Sequence, residues 1–242
     1  NYPPAVCYLY SHNRKGEHPQ SHLQDYKGVV HADAYSGYDK LYKDEDGKET
    51  GIKESACWAH TRRKFYEATL LGKARIASEV ITHLAKIYKI EDDVRGLDPG
   101  ARLKARQECS QPLIDELFER LKEVKDKVPP KGKTATAIVY ALNQEEALRR
   151  FLSDGRLEID NNAAERSLRG IAVGRKNWLF AGSNQGGKTA ANMLTLIETA
   201  KLHDIDPWLY LQKVLTVIQG YNSQKLDDLM PWNILQLKLP PE

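Results

Sequence analysis

The stretch Phe151-Leu-Ser-Asp-Gly-Arg-Leu-Glu-Ile-Asp-Asn-Asn-Ala-Ala-Glu-Arg-Ser-Leu-Arg169 organises the whole chain. It opens as the end of a helix and breaks at Ser153-Asp154-Gly155, a cluster of turn formers. A new helix starts at Asp160, with Asn162 and Glu165 spaced as in a capping box. Glu165 then falls in an early turn of a helix that also carries Arg166 and Arg169. In the purely structural reading Asp160 caps, Glu165 completes the cap, and Glu165 pairs with Arg169 one turn on. In the functional reading Glu165 is a ligand. The rest of the chain weighs between the two.

Upstream, residues 60–152 read as helical. Leu70, Ile76, Val80, Ile81, Leu84 and Ile87 recur at helical spacing and predict one long helix from Phe65 to Val94. Asp98 caps the next helix with Pro99 at its first position. That helix is expected to run to about Lys127 with a kink near Pro112, and Pro129-Pro130 ends it. A further helix covers Thr134 to Leu152, with Ile138, Leu142 and Leu148 inward.

Ahead of this block, Ala5–Tyr10, Val29–Asp33 and Ile52–Trp58 read as strands from their β-branched and aromatic content. The second of them ends on an aspartate. Asn13–Gly16 is a turn, Pro19–Tyr26 a short helix, and Tyr35–Tyr38 a turn into another short helix. Beyond the central stretch, Asn177–Ala181 reads as a strand and Gly182–Gly187 as a loop. Helices follow over Thr189–Leu202 and from an Asp206 cap, with Pro207 behind it, to Ile218. A polar tail runs from Tyr221 to around Trp232.

The 242 residues can bury a full core, and 41% hydrophobic with 29% charged residues is ordinary for a globular protein. The net charge of +3 permits a nucleic-acid partner. Its distribution says more. From Glu165 to Lys188 the one acid is Glu165, against Arg166, Arg169, Arg175, Lys176 and Lys188. That segment is a candidate phosphate-contacting surface. The three cysteines are odd in number and widely spaced, which implies no disulfide framework and fits a reducing compartment. No apolar run approaches the roughly 18 residues of a membrane span, so no membrane partner is expected. No signal peptide is visible. A chain that opens on Asn1 is expected to be a fragment of something longer.

Several motifs compete for the chemistry. Gly182-Ser-Asn-Gln-Gly-Gly-Lys-Thr189 matches the phosphate-loop pattern letter for letter. A nucleotide site of that kind also needs a later strand ending in an acid to hold Mg²⁺, and helices and a tail follow instead. A tight turn, or close approach of amides and Lys188 to a nucleic-acid phosphate, is the better reading. Cys57-Trp-Ala-His60 has the spacing of half a zinc site, without the other half in sequence. His60 with Arg62, Arg63 and Lys64 at a helix start reads as a phosphate contact or a solvated cap. No nucleophile elbow supports a serine triad. Asp33, at the end of a strand, can point into a crevice, and Glu165 on its helix can join it there to hold Mg²⁺.

Four longer motifs carry a resemblance. They are His31-Ala-Asp-Ala-Tyr-Ser-Gly-Tyr38, Cys57-Trp-Ala-His-Thr-Arg-Arg-Lys-Phe65, Asp154-Gly-Arg-Leu-Glu-Ile-Asp-Asn-Asn-Ala-Ala-Glu-Arg166 and Gly174-Arg-Lys-Asn-Trp-Leu-Phe-Ala-Gly-Ser183. Together, in that order, they resemble bacterial insertion-sequence transposases of the DDE class, in the family named for insertion sequence sixty-six. The resemblance runs from near Tyr2 to about Asn233. It implies an α/β fold, a ribonuclease-H-like mixed sheet with a large all-helical insertion. It also implies a catalytic site of two aspartates and a glutamate holding Mg²⁺ or Mn²⁺. By motif match, Asp33 stands for the second aspartate and Glu165 for the glutamate, with Asp160 a cap that orients the helix of Glu165.

The first aspartate of the family pattern lies upstream of anything present, and so do the first two strands. The sheet is therefore expected to be incomplete at its N-terminus, and the polypeptide alone inactive in transposition. The division expected is 1–59 and 153–220 for the catalytic core, 60–152 for the helical insertion, and 221–242 for a tail. The expected partners are DNA, as transposon ends and target, and either further copies of the chain or an upstream transposase segment. The expected location is cytoplasmic and nucleoid-associated. Arg166, Arg169, Arg175, Lys176 and Lys188 are then phosphate contacts. The rival from another class is a non-catalytic DNA-binding or assembly remnant of a transposase.

Overall fold

The computed structural model describes residues 3–33, 35–44, 46–70, 72, 74–174, 176 and 181–234. Two of the three strands expected in the first sixty residues pair with each other. β1 (Gly28–Ala32) and β2 (Ile52–Ala56) lie parallel, with Gly28 opposite Ile52 and Ala32 opposite Ala56. Parallel neighbours need a crossover rather than a tight hairpin. Here it consists of a single 3₁₀ turn, the short helix α2 (Asp39–Tyr42) and a bridge between Lys43 and Glu49. The helix α1 (Glu17–Leu23) precedes β1. Among the described residues the sheet holds these two strands alone, and most of the chain is helical.

The chain divides into two compact units, Lys15–Ala164 and a second built from Asn1–Arg14 with Glu165–Glu242. In the first unit, α3 (Trp58–Thr69), α4 (Arg75–Asp93), α5 (Pro99–Ala105), α6 (Gln111–Val124), α7 (Lys133–Asn143) and α8 (Glu145–Arg149) follow the sheet. Their inward faces close one core around Trp58, Phe65, Leu84, Ile114, Phe118 and Ile138. Burying side chains of this size contributes roughly 1.5–3 kcal/mol each. The Trp58 indole N–H donates to the Leu148 carbonyl at 2.8 Å, so the largest buried ring leaves no polar atom unsatisfied.

The helical region differs from expectation in three places. The helix predicted over Thr134–Leu152 is α7, α8 and a 3₁₀ turn over Arg150–Leu152, divided at Gln144. The single helix predicted from Phe65 to Val94 is two. Gly72 takes a φ of +109°, open to glycine and costly for other residues, and the chain turns there between α3 and α4. Leu70, expected inward, is consequently 66% exposed. The kink expected near Pro112 is a π-helical turn over Arg106–Ser110, just ahead of it. Proline lacks an N–H and crowds the carbonyl four residues back, and the wider turn accommodates both defects. The predicted cap at Asp98 is present, its carboxylate accepting from the Gly100 and Ala101 amides.

In the second unit, α10 (Asn184–Leu202) and α11 (Pro207–Val217) pack with a 3₁₀ segment, Ser223–Leu229, around Ala200, Tyr210, Val214, Leu229 and Ile234. Asp206 caps α11 as predicted, accepting from the Trp208 and Leu209 amides. The polar tail is anchored here: the Tyr210 hydroxyl donates to the Leu229 carbonyl and Lys213 donates to that of Ile234. Among the described residues no helix is long and apolar enough to cross a membrane.

The strand predicted over Ala5–Tyr10 is extended chain with a helix for a partner. The Val6 amide donates to Thr199 Oγ1 at 3.1 Å and the Tyr8 amide to Thr195 Oγ1 at 2.9 Å. Two extended residues advance roughly 6.6 Å and one helical turn of four residues roughly 6 Å. Alternate amides therefore meet successive threonines along α10. Asn177–Phe180, most of another predicted strand, lies outside the described residues.

Candidate functional site

Parallel strands place their C-terminal ends on one edge, the edge at which open α/β sheets bind ligands. Asp33 follows the last residue of β1 on that edge and is exposed. Its carboxylate takes no hydrogen bond or ion pair from the described residues. Its charge instead raises the hydroxyls of Tyr38 and Tyr140, although burial is the larger cause for both, and Tyr140 is pushed up to about 12. Two residues back, the imidazole of His31 lies 3.1 Å from the carbonyl of Ala56, fastening β1 to β2 near the same edge.

The start of α9 (Asn162–Gly174) is stitched to this edge. The amide of Trp58, just beyond β2, donates to the carbonyl of Ile159 at 3.2 Å. The Asn161 amide points at Cys57 Sγ, 3.4 Å away. Asp160 is held by the Tyr88 hydroxyl at 3.4 Å and accepts the Asn162 amide at 3.1 Å. Asp160, expected as the cap itself, lies one residue outside the cap position and satisfies the first amide of α9 from there. Burial pushes the Cys57 thiol up, which keeps it neutral beside the Asn161 amide.

Glu165 lies in the first turn of α9, where a carboxylate favours the helix dipole. It is the first residue of the second unit, whereas Asp33 belongs to the first. Arg166 and Arg169, three residues apart on α9, are exposed, as are Lys176 just beyond the helix and Lys188 on α10. None of these four cations has a carboxylate partner among the described residues. Arg175 lies outside the described residues.

The glycine-rich stretch is less of a loop than its composition suggests. Ser183 caps α10, its hydroxyl accepting the Gly186 amide at 3.0 Å, while its carbonyl accepts the Gly187 amide at 2.9 Å. Amides spent on the helix's own first turn are not turned toward a phosphate, which the phosphate-loop reading requires. Gly187 is glycine for a packing reason: the ring of Tyr10 occupies the space a Cβ would need. The sequence carried no signal for the Tyr88–Asp160 bond, because the two lie far apart in the chain and a tyrosine at a helical apolar position reads as core.

Comparison with known proteins completes the picture. The sequence profile described as the transposase IS66 family matches residues 1–189, and that described as the IS66 C-terminal element matches residues 195–232. Three proteins of Sinorhizobium fredii (strain NBRC 101917 / NGR234), each called uncharacterized, are similar along nearly the whole chain. They are y4qI at 42% identity, y4hP at 40% and y4jD at 36%, over 96%, 95% and 96% of this chain. The chain spans 43%, 44% and 46% of their respective lengths, less than half of each. No solved structure matches. Two profiles covering almost the entire sequence, with relatives well above 30% identity, place this chain in the IS66 family of transposases.

Proposed function

We propose that this chain is the catalytic part of a DNA transposase. The whole enzyme would hydrolyse the phosphodiesters at the ends of an insertion sequence and join the resulting 3′ hydroxyls to target DNA. One observation carries the reading beyond family membership. Asp33 leaves the C-terminal edge of a parallel strand pair with no partner for its carboxylate among the described residues, at the edge to which the start of α9 is fastened. In this reading β1 and β2 belong to a ribonuclease-H-like sheet, and Glu165 on α9 is the second carboxylate of the site.

Asp33 and Glu165 fit Mg²⁺ or Mn²⁺, which take oxygen ligands from few carboxylates and leave room for waters and substrate phosphates. Bound there, the ion would supply charge to activate an attacking oxygen and stabilise a leaving one. Asp160 orients the start of α9 through its bond to the Asn162 amide. Arg166, Arg169, Arg175, Lys176 and Lys188 would take DNA phosphates by charge, without reading sequence. The remaining partner is a further copy of the chain or a separate transposase segment.

Calorimetry of Mn²⁺ binding to the wild-type chain, Asp33→Asn and Glu165→Gln tests the site. Heat lost in both variants is expected. No heat in the wild type, or equal heat in all three, removes the metal site and leaves a DNA-binding assembly module. Duplex affinity measured against salt tests the surface independently. Arg166→Ala with Arg169→Ala should reduce the slope of log K against log salt by about 2.

A further inference from the structure

The outward faces of α3 and α4 form a groove of about 540 Å³ that none of the chemistry above uses. On α3, Ala59, Arg62, Arg63 and Tyr66 fall on the side opposite the buried Trp58, Thr61, Phe65 and Ala68. On α4, Ala85, Tyr88, Lys89 and Asp92 do the same against Val80, Leu84 and Ile87. The small residues Ala59 and Ala85 let a ligand approach between the helices. Cations, two tyrosine rings and Asn162 at the start of α9 line the rest.

The charges in the groove are unequal in what they leave over. Lys89 is held by Asp93 at 2.6 Å, and Asp92 by Arg95 at 3.0 Å, so these largely cancel. Arg62 and Arg63 are exposed and have no carboxylate partner among the described residues. That departs from the pattern elsewhere in the unit, where Arg75 and Lys104 pair with an acid four residues on, and Arg149 and Arg150 with one four residues back. Arg63 has Glu67 at the same spacing and does not use it. Beside these two arginines Tyr66 is 51% exposed, while Tyr88 is fixed as a wall through its hydroxyl on Asp160.

We infer that this groove binds an unpaired DNA strand, with Arg62 and Arg63 on its phosphates and Tyr66 stacked on a base. A positive channel with an exposed ring is the arrangement that grips single strands without regard to sequence, because every base has a stacking face. A duplex hides its bases and would use the arginines alone. Asn162 also lines the groove, and the residue before it is bonded to Cys57, just beyond the end of β2. The assignment of DNA rather than RNA rests on the function proposed above; the affinity for a single strand does not.

The test is fluorescence anisotropy of the full chain with labelled oligothymidylate and with a duplex of equal length. The variants are Arg62→Ala with Arg63→Ala, Tyr66→Ala, Tyr66→Phe, and Arg166→Ala with Arg169→Ala, their folding checked by circular dichroism. Tyr66→Ala should weaken oligothymidylate binding by about 5- to 100-fold and Tyr66→Phe should restore it. The Arg62/Arg63 variant should lower the single-strand salt slope by about 1.4. Tyr66→Ala should leave duplex affinity unchanged, whereas the Arg166/Arg169 variant should lower it. Single-strand binding indifferent to Tyr66→Ala, equal losses on both DNAs, or competition by polyglutamate as strong as by oligothymidylate each overturns the inference. The assay contains no divalent metal, so failure of the metal site leaves its outcome unaffected.

Discussion

Arg106 and Glu91 form a two-bonded ion pair inside the helical unit: Nε meets Oε1 at 2.8 Å and Nη2 meets Oε2 at 2.6 Å. The guanidinium is fully buried and the carboxylate nearly so. Its Nη1 donates to the carbonyls of Phe151 and Asp154, so one side chain joins α4, the π-helical turn and the end of the helical block.

Removing Glu91 leaves the Arg106 guanidinium buried without its carboxylate, and removing Arg106 leaves Glu91 with Arg102 alone, 3.8 Å from Oε2. Arg106→Ala and Glu91→Ala should each cost about 3–5 kcal/mol in urea unfolding, whereas Arg106→Met with Glu91→Leu should recover most of the loss. Arg106→Lys should also destabilise, because an ammonium cannot span the same fork of acceptors. A near-neutral single variant would mean that water reaches the pair.

Trp58→Phe keeps an aromatic ring beside Phe118 but strips the Leu148 carbonyl of its donor. The expected loss is about 1–3 kcal/mol, the cost of an unsatisfied buried acceptor together with a smaller ring. Thermal unfolding monitored at the helical signal measures it.

The positions of β1 and β2 and the caps at Asp98 and Asp206 were legible in the sequence, because each depends on a few adjacent residues. The ion pair was not. Arg106 stands in a run of mixed charges that reads as solvent-facing, and its partner Glu91 lies on a different helix, fifteen residues away. Ala5–Tyr10 has the composition of a strand, but composition does not say whether the partner is a strand or two threonines on a helix. Gly182–Gly187 read as a loop from its glycines, whereas the Ser183 cap governs. For the proposed site, Asp33 and Glu165 are candidates that the motifs supply. The fastening of Asn161 to Cys57 depends on contacts between residues over a hundred positions apart.

Glu54, on β2, is half-buried, and burial raises its carboxyl above the usual 4.5, with Asp39 adding and Arg150 opposing. The folded chain therefore holds this proton more tightly than the unfolded chain. The associated stability is fully present below pH 4.5 and is lost as pH rises through the folded value. Glu54→Gln, neutral throughout, should be more stable than wild type at pH 7, and the gain should vanish in acid. Urea midpoints at both pH values check the sign.

Gly187→Val should drive the Tyr10 ring off α10 and cost about 1–3 kcal/mol through overpacking. Hydrogen exchange at Val6 and Tyr8 should quicken with it, since their amides depend on threonines of the same helix. Unchanged protection would mean the extended segment is held from elsewhere.

The bonds between Val6 and Thr199 and between Tyr8 and Thr195 tie together segments 193 and 187 positions apart. On the ribosome, residues 15–164 emerge as one contiguous piece and can collapse as soon as they clear the exit tunnel. The opening dozen residues, although made earlier, must wait for α10 before their amides find acceptors. Synthesis order and folding order thus run opposite for that segment. Protease added to stalled nascent chains should cut near Tyr10 until Thr199 has emerged, and should spare it afterwards.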